Sequence, residues 1–296
     1  MLLLSKIDGW TGILGRMLYA ILAIVFLAAA ATVAWKWYRV LQPPARAPER
    51  WSESLRPASG PVVLCLGDSI THGHLGSDWT DLLASRGLAV VNGGINGELA
   101  WNLVQRVDRA LACRPDVVTV LIGANDAMGT HDEGSGRRYL RMVDLPRLPD
   151  LEWFEENLRL LVRKLREGSE ARVALMTLAP IGEDPRAPIA TLVGKCNTII
   201  ARVAEDLDTE LLPLHDRLAA LLAESSGTRR HRYLPGIRST LRMVRAGALH
   251  YLLGMSWDRI AARRGLTLTV DLVHLSDRAG AVVADLVEEF ALERRA

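Results

Sequence analysis

The sequence predicts an α/β domain with a parallel sheet covered on both faces, and three observations lead there. After residue 60, five short β-branched runs alternate with helical stretches, the order that yields parallel strands joined by crossover helices. The 296 residues suffice for one such domain with a sizeable core plus a terminal appendage. No internal repeat or low-complexity block interrupts the pattern.

The expected strands are Val62–Leu66, Ala89–Asn92, Asp116–Ile122, Arg172–Thr177 and Glu210–Leu214. Between them lie helices. A short one covers Asp78–Arg86. Ala100–Ala112 has apolar residues spaced at Leu103, Val107 and Leu111, and Leu151–Glu167 carries Phe154, Leu158, Leu161 and Leu165. Ile189–Asp206 and Leu275–Leu292 complete the set. In such a sheet, ligands bind outside the carboxyl ends of the strands.

The appendage is N-terminal. Met17 to Trp35 contains no charge and no proline, and at about 1.5 Å per residue it spans roughly a bilayer's hydrocarbon core. Trp10, Trp35, Trp37 and Tyr38 sit where interfacial rings belong, and Arg16, Lys36 and Arg39 can snorkel. A cleaved signal peptide and a buried core helix are the alternatives; a retained single-pass anchor over residues 1–40 fits best. Basic residues on both sides leave its orientation open. Residues 41–60 are rich in proline and charge and read as a linker. The globular domain is then expected over residues 61–296.

A net charge of +2 gives no basic field to gather nucleic acid. Cys65, Cys113 and Cys196 have no CxxC spacing. Cys65 reads as an inert thiol in a buried strand, and one disulfide among the three stays open.

Chemistry-bearing residues follow the strands. The first ends in Gly67-Asp68-Ser69-Ile70-Thr71-His72-Gly73, where Ser69 can present its hydroxyl or simply cap a helix. The second ends in Asn92-Gly93-Gly94-Ile95-Asn96-Gly97, whose glycines can aim N–H donors at a bound group or merely turn the chain. The third ends in Gly123-Ala124-Asn125-Asp126, where Asn125 can serve an oxyanion or an Asx-turn. Near the C-terminus, Asp271 and His274 stand three apart before the closing helix, as an orienter–base pair can.

In this order and placement, the segments resemble the four blocks of the SGNH hydrolases, also called GDSL esterases/lipases, over roughly residues 61–292. The resemblance implies a three-layer, flavodoxin-like domain with a five-stranded parallel sheet. It implies Ser69 as nucleophile, His274 as general base and Asp271 as its orienter, with an oxyanion hole from the Ser69 and Gly94 N–H groups and the Asn125 side chain. It implies no cofactor and no metal, and a His72/His74/His131 metal site is discounted. The substrate it implies is a carboxylic ester, either a lipid acyl ester or a glycan O-acetyl ester. An extracytoplasmic domain is favoured on the same ground. Acyl transfer with the same triad, or a catalytically silent tethered binding domain, are the alternatives.

Two departures stand out. Leu272 occupies the position after Asp271 where the family usually has glycine. An insert at about residues 224–266 precedes the Asp–His pair, with arginines at 229, 230, 232, 238, 242 and 245. Read as a helix from Arg238 to Ser256, it places Leu241, Val244, Ala248, Tyr251, Leu252 and Met255 on one stripe, beside Arg238, Arg242 and Arg245. Either the stripe packs on the sheet, or the helix is a lid facing a bilayer.

Overall fold

The computed structural model describes residues 42–57, 59–225 and 231–293, with isolated N-terminal positions at 19, 21–24, 27, 34 and 38. The chain divides into two units, Met1–Gln42 and Pro43–Ala296. The described positions of the first unit from 19 to 38 are helical. Most of the apolar run Met17–Trp35 lies outside the described residues. Among the described residues, no helix is long and apolar enough to cross a membrane.

The second unit holds five parallel strands: β1 (Val62–Gly67), β2 (Ala89–Gly94), β3 (Val117–Leu121), β4 (Arg172–Met176) and β5 (Glu210–Leu212). Their spatial order is β2-β1-β3-β4-β5, the flavodoxin-like order. β1 and β3 are buried along their whole length, which is why they read as continuous apolar runs rather than alternating ones. β5 is mostly exposed and shorter than its sequence pattern, because Pro213 and Leu214 turn into a helix.

The helices are α1 (Ser69–His72), α2 (Trp79–Ser85), α3 (Ala100–Ala110), α4 (Ala124–Gly129), α5 (Glu133–Met142), α6 (Leu151–Gly168), α7 (Pro188–Asp206), α8 (Leu214–Glu224), α9 (Ile237–Tyr251), α10 (Trp257–Ala262) and α11 (Asp277–Leu292). Two packed series form, α3–α6–α7 and α2–α11–α8. Crossovers leaving β1 in one direction and β2 in the other put right-handed connections on opposite faces, so the two series cover the two sides of the sheet.

Residues 43–57, expected as linker, belong instead to the domain. Ala47 is buried, Trp51 packs against the core, and Arg46 O accepts from Asn92 N (2.9 Å) at the open edge of β2. Cys65, Cys113 and Cys196 are all free and buried. Burial pushes the Cys65 thiol up to about 12 and that of Cys113 to about 11, which keeps both unreactive.

Candidate active site

β1 and β3 are neighbours in the sheet, but their onward connections leave in opposite directions, which opens a crevice at their carboxyl ends. Ser69 follows β1 and Asn125 follows β3 at this point.

The serine turn is set by close backbone packing. A Cβ on Gly67 would collide with Thr71 Oγ1 and Leu121 O. A Cβ on Gly94 would collide with His72 N and stand 2.6 Å from Thr71 C and 2.8 Å from Asp68 O. Only glycine lets β2 end so near α1. Asp68 Oδ1 accepts from Ile70 N (2.9 Å) and caps α1, leaving Ser69 as its first residue. Trp79, 1% exposed, donates from Nε1 to Ile70 O (3.0 Å) and fastens the turn to α2.

On the other side, Ser69 Oγ lies 2.9 Å from His274 Nε2, and His274 Nδ1 lies 2.7 Å from Asp271 Oδ2. Asp271 Oδ1 accepts from the N–H groups of Val273 (3.0 Å) and His274 (2.9 Å). All three side chains are buried. Burial pushes the Asp271 carboxyl up, but the His274 charge and hydrogen bonds outweigh it and hold it below the ordinary range. Burial alone would lower the His274 value; the Asp271 carboxylate outweighs that and raises it.

The expected oxyanion donors are placed less simply. Gly94 N–H donates to Asn92 Oδ1 (2.9 Å), within the β2 turn. Asn92 also donates to Thr71 O (2.9 Å) and Thr80 Oγ1 (2.8 Å). Asn125 Nδ2 donates to Glu98 O (2.9 Å) and, at 3.2 Å, to Asp68 Oδ2, while Asn125 Oδ1 accepts from Tyr139 (2.7 Å). The Ser69 N–H sits at a helix start, where the helix's own ladder leaves donors unused. Burial raises the Asp68 carboxyl to about 7, and does the same for Asp126, whose Oδ2 accepts from Ala100 N (3.2 Å).

The Asp–His loop rests on residues that the motifs do not single out. Glu183 is buried beyond the end of β4. Its Oε1 accepts from the N–H groups of Thr267 (3.0 Å), Leu268 (2.8 Å) and Thr269 (3.0 Å), and from Thr269 Oγ1 (3.1 Å). Arg264 donates to Val270 O (2.8 Å) and Gly182 N to Leu272 O (2.7 Å). Leu272 has φ +86, the left-handed region that glycine adopts freely and that costs a leucine strain. In the sequence, Glu183 is marked only by its place a few residues past β4. A cavity of about 460 Å³ bordered by Glu183, Asp184 and His215 is not lined by Ser69 or His274. His131 pairs with Asp132, while His72 and His74 meet edge to face (4.3 Å). Among the described residues, no three potential metal ligands converge.

A Ser–His–Asp line at the switch point of a 2-1-3-4-5 sheet has the geometry of a three-layer α/β serine hydrolase. Residues 65–278 match the model of the GDSL-like lipase/acylhydrolase family; the chain belongs to that family, and with it to the carboxylic ester hydrolases. Its fold is similar to that of an acetyl xylan esterase, AlAXEase, at 23% identity over 78% of this chain and 99% of that one, with a TM-score of 0.55. It is likewise similar to Axe2, an acetylxylan esterase from Geobacillus stearothermophilus, at 20% identity over 80% of this chain and 96% of that one, with a TM-score of 0.53. Similar too are catalytic mutants of Axe2 with an aspartate, a serine or a histidine replaced by alanine, the aspartate and histidine being three positions apart. At these identities the likeness is one of fold. No curated protein sequence matches the chain.

Proposed function

We propose that the chain hydrolyses O-acetyl esters of a glycan through an acyl-enzyme on Ser69. The observation that carries this reading is the unbroken line from Ser69 Oγ through His274 to Asp271, at 2.9 and 2.7 Å. Neutral His274 takes the Ser69 proton as Oγ attacks the acyl carbonyl, and Asp271 stabilises the imidazolium that forms. The oxyanion is met by the Ser69 N–H and by Asn125, whose longer bond to Asp68 (3.2 Å) is the one given up. His274 then gives that proton to the sugar oxygen as its bond to the acyl carbon breaks, and water repeats the sequence to release acetate.

Two supports favour a small acyl group over a long one. Ser69 and His274 are each only 7% exposed, which suits an acetyl better than an extended chain. The similar folds include acetylxylan esterases, one with catalytic Asp and His residues at the spacing of Asp271 and His274. The run Met17–Trp35 is proposed to tether the domain as a single-pass anchor, with the domain extracytoplasmic.

A fluorophosphonate probe tests the nucleophile and a substrate pair tests the acyl class. We expect labelling of Ser69 alone, and release of acetate from acetylated xylo-oligosaccharide outpacing cleavage of a long-chain ester. Faster long-chain cleavage would move the reading to lipid esters, and acetyl appearing on an added sugar instead of in water would move it to acyl transfer. Protease accessibility in intact cells tests the side of the membrane.

A further inference from the structure

Helix α9 lies in the insert, and its buried residues are the small pair Ala246 and Gly247, with α10 packed against the helix. Its C-terminal end is pinned. Tyr251 donates to His74 O (2.6 Å), and His250 stacks on Trp257 with ring centroids 4.0 Å apart. The chain then turns at Gly254 (φ +64), so the helix ends five residues before the expected Ser256. Of the stripe expected to pack, Tyr251 and Met255 do so, while Leu241, Val244 and Leu252 face solvent. Ile237, Leu241 and Val244 are 70%, 60% and 39% exposed. At about 100° per residue they share a narrow arc, with Arg238, Arg242 and Arg245 on the flank beside it. An apolar stripe bordered by arginines is the pattern of a helix lying in a lipid interface.

Beside that flank is a cavity of about 360 Å³, lined by Arg242, Arg245, Arg264 and His231, with Asp271 and Leu272 in its wall. Arg264 is fixed by its bonds to Val270 O and Arg242 O. Its pKa is lowered by burial and then by the neighbouring Arg245, with Arg242 acting the same way. Among the described residues, no carboxylate forms an ion pair with any of the three guanidiniums; Asp271 is paired with His274. His231 Nε2 is buried without a hydrogen-bond partner. One anionic group in the cavity relieves like-charge repulsion and supplies the missing partners.

We propose that α9 and this cavity bind the headgroup of an anionic phospholipid, with the phosphate held by Arg242 and Arg245 and the stripe Ile237, Leu241 and Val244 seated among acyl chains. A free phosphate would satisfy the arginines but leave the stripe in water; the stripe is what selects the lipid. The site does not depend on which ester the enzyme cleaves.

The test uses the full chain in neutral detergent micelles, with the thermal midpoint as readout, since a ligand of the folded state raises it. Doping with short-chain phosphatidylglycerol is expected to raise the midpoint more than the same concentration of inorganic phosphate. The double variant R242Q/R245Q should weaken the lipid response by roughly a hundredfold in apparent affinity, the size of two lost charge-assisted hydrogen bonds at about tenfold each. Its midpoint in undoped micelles should be no lower than that of the wild type, because the variant also removes the like-charge repulsion around Arg264. The variant I237S/L241S should lose the lipid response while keeping the phosphate response. Equal wild-type responses to lipid and inorganic phosphate would overturn the lipid assignment. No response to either, or an undiminished response in R242Q/R245Q, would overturn the site.

Discussion

Ser69 reaches its position through regular structure: a buried strand, two glycines that admit close backbone packing, and an aspartate cap. Asp271 and His274 sit in an irregular loop held by side chains, chiefly the distant Glu183 and the nearby Arg264. The first side is fixed by strand ends and a helix cap, the second mainly by one carboxylate, Glu183, that lies 84 to 86 positions away in sequence. Damage to the two sides should therefore look different: on the serine side a loss of chemistry, on the histidine side a loss of alignment as well.

Ser69→Ala sets the upper bound. It should lower kcat by roughly 10⁶-fold, leaving the residual rate of binding and the oxyanion site, with an unchanged thermal midpoint. A variant retaining half the wild-type rate would remove Ser69 from the chemistry.

Asp271→Asn comes next, at roughly 10⁴-fold in kcat. It also moves the pH profile. Turnover needs neutral His274, so in the wild type it should rise with pH through a value above the ordinary histidine range. Without the Asp271 carboxylate, that rise should shift to lower pH. The stability carried by the pair runs both ways. The depressed Asp271 carboxyl contributes above its usual range and loses that contribution as pH falls through its folded value. The raised His274 contributes below the ordinary histidine value and loses it as pH rises through the folded one. A profile unmoved in the variant would mean that another group orients the base.

Glu183→Gln sharpens the contrast, because Glu183 touches no reacting atom. The amide keeps one oxygen for the donors that converge on Oε1 but puts an N–H where Oε2 accepts from Thr267 N (2.8 Å), and it gives up the carboxylate's second acceptor. We expect kcat to fall by about 10²-fold, the cost of a misplaced group, with KM little changed and folding destabilised by about 1–3 kcal/mol. A stability loss without a change in kcat would make Glu183 purely structural.

The smallest effect concerns Leu272, which is buried at φ +86. Replacing it by Ala or Gly removes the same buried packing, at about 2–5 kcal/mol for Ala. Gly alone relieves the left-handed strain, so Leu272→Gly should be more stable than Leu272→Ala by about 1 kcal/mol. Urea denaturation of the two variants decides it; the usual order, Ala above Gly, would mean that the loop carries no strain.

This contrast also explains what could be read in advance. The strand ends, Ser69, Asn125 and the Asp271–His274 spacing lie in short contiguous patterns, and the long helices declare themselves by apolar spacing. Helix α5 does not: its segment Glu133–Met142 contains two glycines and three arginines, and it forms because Asp132 caps it and Tyr139 is buried beneath it. α8 was masked by the apolar run that begins in β5. The Gly94 N–H was expected to face substrate, yet it closes onto Asn92 Oδ1, two residues back in the same turn. Glu183 was visible only as a residue past a strand, since nothing local announces partners 84 to 86 positions away.

That last bond set bears on motion. The N–H groups of residues 267 to 269 converge on one carboxylate oxygen already supplied by the chain, a concavity of the kind that elsewhere receives an external anion. To open, the segment must release three donors at once and leave a buried carboxylate without them. Its amides should therefore resist solvent exchange as the central strands do, opening only with the whole fold. An irregular loop would then behave, in time, as part of the core.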